Sequence, residues 1–547
     1  MVNQRWEYVM ASIETEWKTL LGGSYDTLNL FTAGKGIGDV AVDFLSEMYA
    51  PDELLRDSEK RNVLISVMPA EYAEELVKQI DSKHCCVPGG EYSFLRGLKY
   101  DSRVENAFLN FFGIDKTPKP QQETVVGYET IDYSRMSCPL RNYQRQVLRD
   151  INSVFNAKDR ESKRCMVQMP TGSGKTRTAM YYISDVMNSR EEYMVLWLAY
   201  SKELCEQASD EFTKVWCTRG NKSVEIYRYY GDSSDFPTKK VNGIVITTLA
   251  KLNSAKNKNS TLLTMLADKI DLVVFDEAHQ IIAPTYKSIV TDVIMFGSSK
   301  LIGLTATPGR TWDDPEEDRK LSEFFHYNIV RIHTNDGETP NQMLTDEGYL
   351  SRIKWVTCDC DSIILSREER DLIASLRNED ELPRSILERL SLDAVRNTKI
   401  VTAVEDLLYD GKKRLLIFST SVEHSRILCG LLKMLSSRYN CKVSSIDSHT
   451  SLGEREKIIR EFKTDSSEPR IICNYGVLTT GFDAPNIDAG VIARPTKSLV
   501  LFSQMVGRMI RGPKTIGGTS EATIVSVVDL NLPGFKDSYD NWQDVWS

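Results

Sequence analysis

The run Cys165-Met166-Val167-Gln168-Met169-Pro170-Thr171-Gly172-Ser173-Gly174-Lys175-Thr176 decides the fold. Its first residues form a short apolar stretch that reads as a strand, and Arg177–Met187 behind it reads as a helix. Strand, glycine turn and helix in that order are the context a phosphate-binding loop requires. Thr171, Gly172, Ser173 and Gly174 would form the cradle, because glycines let successive backbone N–H groups converge on a phosphate at a helix N-terminus. Lys175 would add a point charge across β- and γ-oxygens, and the Thr176 hydroxyl could ligate Mg2+. Met169 stands where the full G-x-x-x-x-G-K-[ST] pattern has its first glycine. By itself the segment also fits an ordinary glycine turn.

Outward from this run, short β-branched stretches alternate with helical ones. Cys165–Met169, Met194–Ala199, Ile244–Thr247, Leu272–Phe275 and Leu301–Thr305 read as buried strands, and the alternation argues for a parallel sheet covered by helices on both faces. After Thr334–Gly348 the pattern recurs in Leu415–Ser419, Val443–Asp447, Arg470–Asn474, Gly490–Ala493 and Thr523–Val528, with Arg367–Leu376 and Leu387–Tyr409 as intervening helices. A second α/β domain is therefore expected. The chain divides into an accessory region 1–115, a linker 116–136 carrying Thr117-Pro118-Lys119-Pro120, a first sheet domain 137–345, a second 346–535 and a tail 536–547. In the accessory region, helical stretches (Trp6–Leu21, Val40–Tyr49, Ala70–Ile80) are broken by Gly- and Pro-bearing turns.

Composition bounds the function. At 547 residues and 41% hydrophobic, the chain is long enough for three or four folded units of about 150 residues. Residues 1–130 hold 13 Lys/Arg against 21 Asp/Glu, whereas the remaining 417 are near neutral. No basic coat announces a polynucleotide, so any such contact must come from locally placed donors. No apolar run reaches the roughly 18–20 residues of a membrane span, and Met1–Ser12 lacks a signal-peptide pattern; a cytoplasmic protein without membrane contact is expected. Eleven cysteines are too sparse for a disulfide framework. Cys358 with Cys360, or His84 with Cys85 and Cys86, lack a second pair at zinc spacing, so structural thiols are expected.

Two further motifs carry chemistry. Asp276-Glu277-Ala278-His279 closes the strand Leu272–Phe275, and two carboxylates at a strand tip can divide labour. Asp276 would hold Mg2+, while Glu277 would orient and deprotonate an attacking water. Gln504-Met505-Val506-Gly507-Arg508-Met509-Ile510-Arg511 spaces Arg508 and Arg511 three apart, on one helical face. From there they could reach a nucleotide held by the first domain and stabilise charge on the transferring phosphoryl group.

With these motifs in order, residues 137–529 resemble the superfamily 2 helicases and translocases, in the branch of type I and type III restriction-enzyme motor subunits, XPB-like proteins and RadD. Leu140-Arg141-Asn142-Tyr143-Gln144 is similar to the adenine-reading motif, Leu198–Leu204 with Gln207 to motif Ia, and Thr247–Leu252 to the following strand-end motif. Thr305–Arg310 is similar to motif III, Ile417–Thr420 to motif IV, Leu478–Pro485 to motif V and Gln504–Arg511 to motif VI. The resemblance implies two tandem RecA-like domains that bind ATP and Mg2+ in the cleft between them. It implies that Gln144 reads the base, with Arg141 and Tyr143 lining the pocket, and that Gly481 and Asp483 bind nucleotide from the second domain. His279, Thr305 and Thr307 would couple hydrolysis to domain motion. Ser201, Thr247, Thr248, Ser419, Thr479 and Thr480 would lie along the phosphates of a nucleic-acid strand, where small hydroxyls track a backbone without reading bases. Gln504 opening motif VI, and His279 closing motif II, favour DNA over RNA. The family's substrate would thus be single-stranded, branched or duplex DNA, in genome maintenance or antiphage defence. An RNA helicase, or an ATP-gated DNA clamp that recruits an effector without unwinding, are the alternatives.

Two motif-like segments point elsewhere. Asp57-Ser58-Glu59-Lys60 has nuclease-like letters but no partner carboxylate, and Ala33–Gly38 is glycine-rich without a preceding strand. The acidic residues 1–115 suit a protein-docking or autoinhibitory role, or a helical buttress on the first motor domain. Trp542 and Trp546 lie four apart and are expected to pack onto the second domain.

Overall fold

The computed structural model describes residues 4–33, 37–81, 89–116, 128–131, 139–157, 163–237, 239–258, 268–296, 299–306, 315–376, 382–476, 478, 484–536 and 539. Two sheets organise the chain. The first comprises β1 (Tyr128–Ile131), β2 (Arg164–Gln168), β3 (Met194–Ala199), β4 (Val224–Tyr229), β5 (Gly243–Thr248), β6 (Leu272–Asp276), β7 (Lys300–Thr305) and β8 (Ile329–Arg331), in the order β1-β4-β5-β3-β6-β7-β2-β8. Every pairing is parallel except β1 with β4. The second comprises β9 (Arg352–Cys360), β10 (Arg414–Phe418), β11 (Lys442–Ile446), β12 (Arg470–Asn474), β13 (Ala489–Ile492) and β14 (Glu521–Asp529), all parallel, in the order β11-β12-β10-β13-β14-β9. These are two tandem RecA-like lobes preceded by a helical region.

Strands buried on both faces were legible because they are apolar throughout: β3, β6, β10 and β13 are buried along their whole length. The strands not expected from sequence are β1, β4, β8 and β9. β9 is half-buried or exposed along its length up to buried Cys360 and carries Arg352, Lys354 and Asp359; β4 carries Glu225 and Arg228. β1 falls inside the expected linker, where Tyr128–Ile131 pairs with Val224–Tyr227. Part of that segment is thus an edge strand of the first lobe. The expected helix Leu387–Tyr409 is two helices, Arg384–Leu392 and Ala394–Tyr409. Asp393 divides them because its extended backbone lets its carboxylate accept the Arg396 N–H at 2.9 Å, as an N-cap does.

Among the described residues the N-terminal region is nine helices, and it docks on the second lobe. The buttress on the first motor domain is therefore corrected. Helix Ile37–Met48 lies against Val422–Met434, where Phe44 fills the notch left by Gly430. A Cβ there would come 2.7 Å from the ring. The acidic residues serve this contact: Glu47 pairs with Lys433 at 2.5 Å and Glu53 with Arg426 at 3.3 Å, while Arg426 also donates to the Met48 carbonyl at 3.0 Å. Ser24–Phe31 packs on Ala394–Tyr409, and one apolar cluster joins Leu28, Phe44 and Leu45 to Ile400, Leu428 and Leu431. Phe44→Ala is expected to cost about 3 kcal/mol, the usual scale for emptying a buried aromatic site. Chemical denaturation should show the loss in the transition that reports the second lobe.

Asp57-Ser58-Glu59-Lys60 is a helix start: the Asp57 carboxylate accepts the Glu59 and Lys60 N–H groups at 2.9 and 3.1 Å and pairs with the Lys60 ammonium. No group of His, Cys, Asp and Glu able to hold a metal occurs among the described residues. No described helix is long and apolar enough to cross a membrane. Gly34–Gly36, His84–Cys86, Trp542 and Trp546 lie outside the described residues.

Candidate active site

Because β2, β3, β5, β6 and β7 run parallel, their C-terminal tips share one edge, where ligands of such sheets bind. The chain leaves β2 through buried Met169, whose N–H donates to the Thr305 carbonyl at 3.0 Å. Its side chain belongs to the lobe core, so the first loop position carries an apolar anchor instead of glycine. Gly172 and Gly174 then take φ +86° and +85°, a left-handed backbone that favours glycine. Helix Lys175–Asn188 follows.

Residues from both lobes line a cleft of about 330 Å³: Thr171 to Thr176, Arg141, Gln144, Asp276 and Glu277 on one side, Gln504, Arg508, Arg511 and Thr515 on the other. The approach is close. A Cβ on Gly507 would strike Thr171, and one on Gly172 would strike the Arg511 guanidinium. Arg511 reaches this point by a route the helical spacing did not indicate. Helix Leu499–Met509 ends before it, and Arg511 instead forms an antiparallel bridge with Leu350.

Charge converges on this cleft. Desolvation pulls the Lys175 ammonium below its usual range; Glu277 and Asp276 oppose that shift, whereas Arg508 and Arg511 add to it. Burial and the neighbouring Glu277 push the Asp276 carboxyl up, against Lys175 and the Glu277 N–H. Glu277 sits at φ +54°, a strained conformation for a non-glycine residue. Its Oε1 accepts from Gln504 Nε2 of the other lobe at 3.4 Å, and its Oε2 lies 3.5 Å from His279 Nδ1.

On the base side, Gln144 is buried: its Oε1 accepts the Arg141 N–H at 2.9 Å and its Nε2 donates to the Ser173 carbonyl at 3.1 Å. The Tyr143 hydroxyl donates to the same carbonyl at 2.9 Å. Gln144 Nε2 also donates to the Gly174 carbonyl at 3.5 Å, so it is a lone pair of Oε1 that is left to meet a base edge. Tyr349, Lys514 and Thr515 join this region without a motif to announce them. Arg141 lies 4.3 Å over the Tyr349 ring and donates to Thr515 Oγ1 at 3.0 Å.

The residues expected along a nucleic-acid strand separate by exposure. Ser201 caps helix Lys202–Arg219 through the Leu204 N–H at 3.3 Å, and Thr248, opposite Ala199, accepts the Lys251 N–H at 3.2 Å; both lie at partly exposed strand tips. Thr247 and Ser419 are shielded from solvent, and the Thr247 hydroxyl donates to the Thr248 carbonyl. Next to Ser201 in the chain, Tyr200 is 56% exposed, a position not singled out from sequence. Thr305 is buried at the β7 tip beside Gln168. Thr307, Thr479, Thr480, Gly481 and Asp483 lie outside the described residues.

The donor set fits a magnesium triphosphate. Three cations from two lobes face one another across the glycine cradle, an arrangement that a polyanion would relieve. Thr171 Oγ1 is buried without a hydrogen-bond partner at the same edge.

Known proteins resemble this chain in sequence and in fold. Residues 137–310 match the family described as type III restriction enzyme, res subunit, and residues 399–512 match the helicase conserved C-terminal domain. The Schizosaccharomyces pombe protein named as a mitochondrial ATP-dependent helicase, irc3, is 29% identical over 390 residues, 69% of this chain and 56% of that protein. A 51.5 kDa protein of a Lactococcus phage is 25% identical, covering 69% of each chain. The EcoKI type I restriction endonuclease subunit of Escherichia coli is 22% identical, over 70% of this chain and 34% of that subunit. This chain thus spans about half the length of the first of these relatives and a third of the last. Among solved structures, the ATP-dependent Type ISP restriction-modification enzyme LlaBIII bound to DNA superposes with a TM-score of 0.51 at 18% identity, over 75% of this chain and 29% of that one. The DUF1998 helicase MrfA bound to DNA gives 0.50 at 16%, over 78% and 54%.

Proposed function

Since this chain is a superfamily 2 helicase of the restriction-motor branch, we propose that it hydrolyses ATP in the interlobe cleft and couples each turnover to movement on, or remodelling of, DNA. The observation that carries the reading is the convergence of Lys175 with Arg508 and Arg511, and of Gln504 with Glu277, across one cleft. Backbone N–H groups of Gly172 to Lys175 and the Lys175 ammonium bind the phosphates. Thr176 and Asp276 would hold Mg2+, which when bound would offset negative charge on the phosphates. Glu277, oriented by Gln504, takes the proton of the attacking water. Arg508 and Arg511 meet the charge that develops on the phosphoryl oxygens. Both arginines belong to the second lobe, so chemistry requires the lobes to close.

Phosphate release compared with RNA, single-stranded DNA and duplex DNA tests the substrate: the largest stimulation is expected with DNA, and equal or greater stimulation by RNA would reverse the assignment. A strand-displacement assay then separates a motor from a clamp that hydrolyses ATP on DNA without moving. Genome maintenance or antiphage defence is the setting we propose, with Ser201 and Thr248 on the strand's phosphates. Exposed Tyr200, adjacent to Ser201, is available to stack on a base, so Tyr200→Ala should weaken single-stranded DNA binding about tenfold, given about 1–3 kcal/mol per stacked base. Fluorescence anisotropy checks this, with duplex DNA as the comparison that should change less.

A further inference from the structure

The segment opening the second lobe and the segment after motif VI form a short antiparallel ladder. Ser351 N–H donates to the Ile510 carbonyl at 3.2 Å, Gly512 N–H to Tyr349 at 3.0 Å and Lys514 N–H to Gly348 at 2.9 Å, with the Leu350–Arg511 bridge between. The Ser351 hydroxyl ties the ladder further to the Arg511 carbonyl at 2.9 Å. This one ladder faces the cleft twice. At Arg511 it meets the phosphate side, against Gly172. At Tyr349 and Thr515 it meets the base side, where the Arg141 guanidinium is held: Nη1 donates to Tyr143 at 3.2 Å, Nη2 to Thr515 at 3.0 Å, and Cζ lies over Tyr349, whose ring also packs edge-on against Tyr143 at 5.3 Å and receives Lys514 Nζ at 4.6 Å.

We propose that Tyr349 and Thr515 are positioning residues that make placement of Arg511 depend on the base of the nucleotide, through Arg141. The inference rests on the reading of the cleft as an ATP site with the base at Arg141–Gln144. A guanidinium has five N–H donors in a fixed fork, and the Tyr143 and Thr515 hydroxyls take only some of them. A purine that presents ring acceptors to the rest pins the guanidinium in its stack on Tyr349, which holds the ladder and with it Arg511. A smaller pyrimidine leaves the guanidinium loose, so the triphosphate binds without Arg511 being set. Base identity would then register in kcat as well as in KM.

The experiment measures kcat and KM with ATP and with CTP for the wild-type chain, Tyr349→Ala, Tyr349→Phe, Thr515→Val and Thr515→Ser. Wild type should turn over ATP faster than CTP at saturation. Tyr349→Ala and Thr515→Val should lower kcat for ATP about five- to tenfold, the scale of one cation–π or hydrogen-bond contact, while CTP changes by less than about twofold. Tyr349→Phe keeps the ring and Thr515→Ser the hydroxyl, so both should stay near wild type. An equal fall on both nucleotides would mean a merely structural ladder and overturn the proposal, as would wild-type kcat equal for ATP and CTP, or Tyr349→Ala with unchanged kcat. A wild-type chain that releases no phosphate from ATP removes the underlying reading instead.

Discussion

Arg508→Ala and Arg511→Ala are each expected to lower kcat for ATP hydrolysis about a thousandfold, the lower end of what a transition-state arginine contributes in phosphoryl transfer. KM should change far less, because the glycine cradle and Lys175 belong to the first lobe and bind phosphate with the lobes apart. The structure gives the expectation its geometry: both arginines line the cleft and both depress the Lys175 ammonium, so their charge is felt where the phosphoryl group would sit. For Arg511 the substitution leaves the backbone bridge to Leu350 intact, which limits the change to the guanidinium. Single-turnover hydrolysis measured beside nucleotide binding by fluorescence separates the two quantities. Kcat within tenfold of wild type in both variants would remove the second lobe from the chemistry.

Lys175→Ala should abolish detectable phosphate release, a fall of at least about a thousandfold, since it deletes the point charge across the β- and γ-oxygens. Its melting temperature should stay within about 3 °C of wild type, given that 1 kcal/mol corresponds to about 2–4 °C for domains of this size. The reason lies in the site's electrostatics. Burial and two facing arginines already disfavour the ammonium, while Asp276 and Glu277 favour it; removing the charge gives up both terms together. Turnover at the wild-type rate would remove the central assignment, and a large loss of stability would show that Lys175 holds the lobes together.

The glycine loop and the carboxylate pair of this cleft could be located in the sequence because each follows a strand buried on both faces. Thr171–Thr176 after β2 and Asp276–Glu277 after β6 could be placed on one edge from the alternation alone, since parallel strands put their C-terminal tips together. The strands that escaped notice, β1, β4 and β9, carry charges on exposed or half-buried positions, and their partners supply the missing cohesion. Arg511 was expected for the wrong local reason. Three-residue spacing suggested a helical face, but the helix stops at Met509 and an antiparallel bridge delivers the side chain.

What the sequence by itself determined is the order of the lobes and the identity of the groups at the strand tips, because apolar runs and glycine turns are local properties. Only tertiary structure decided where the acidic N-terminal helices sit, because their docking depends on Phe44 meeting the notch at Gly430, and Glu47 and Glu53 meeting Lys433 and Arg426, nearly 400 residues away. It also decided that Tyr349 and Thr515 flank Arg141. Contacts of that range leave no periodicity along the chain; they exist once two separately folded lobes are pressed together.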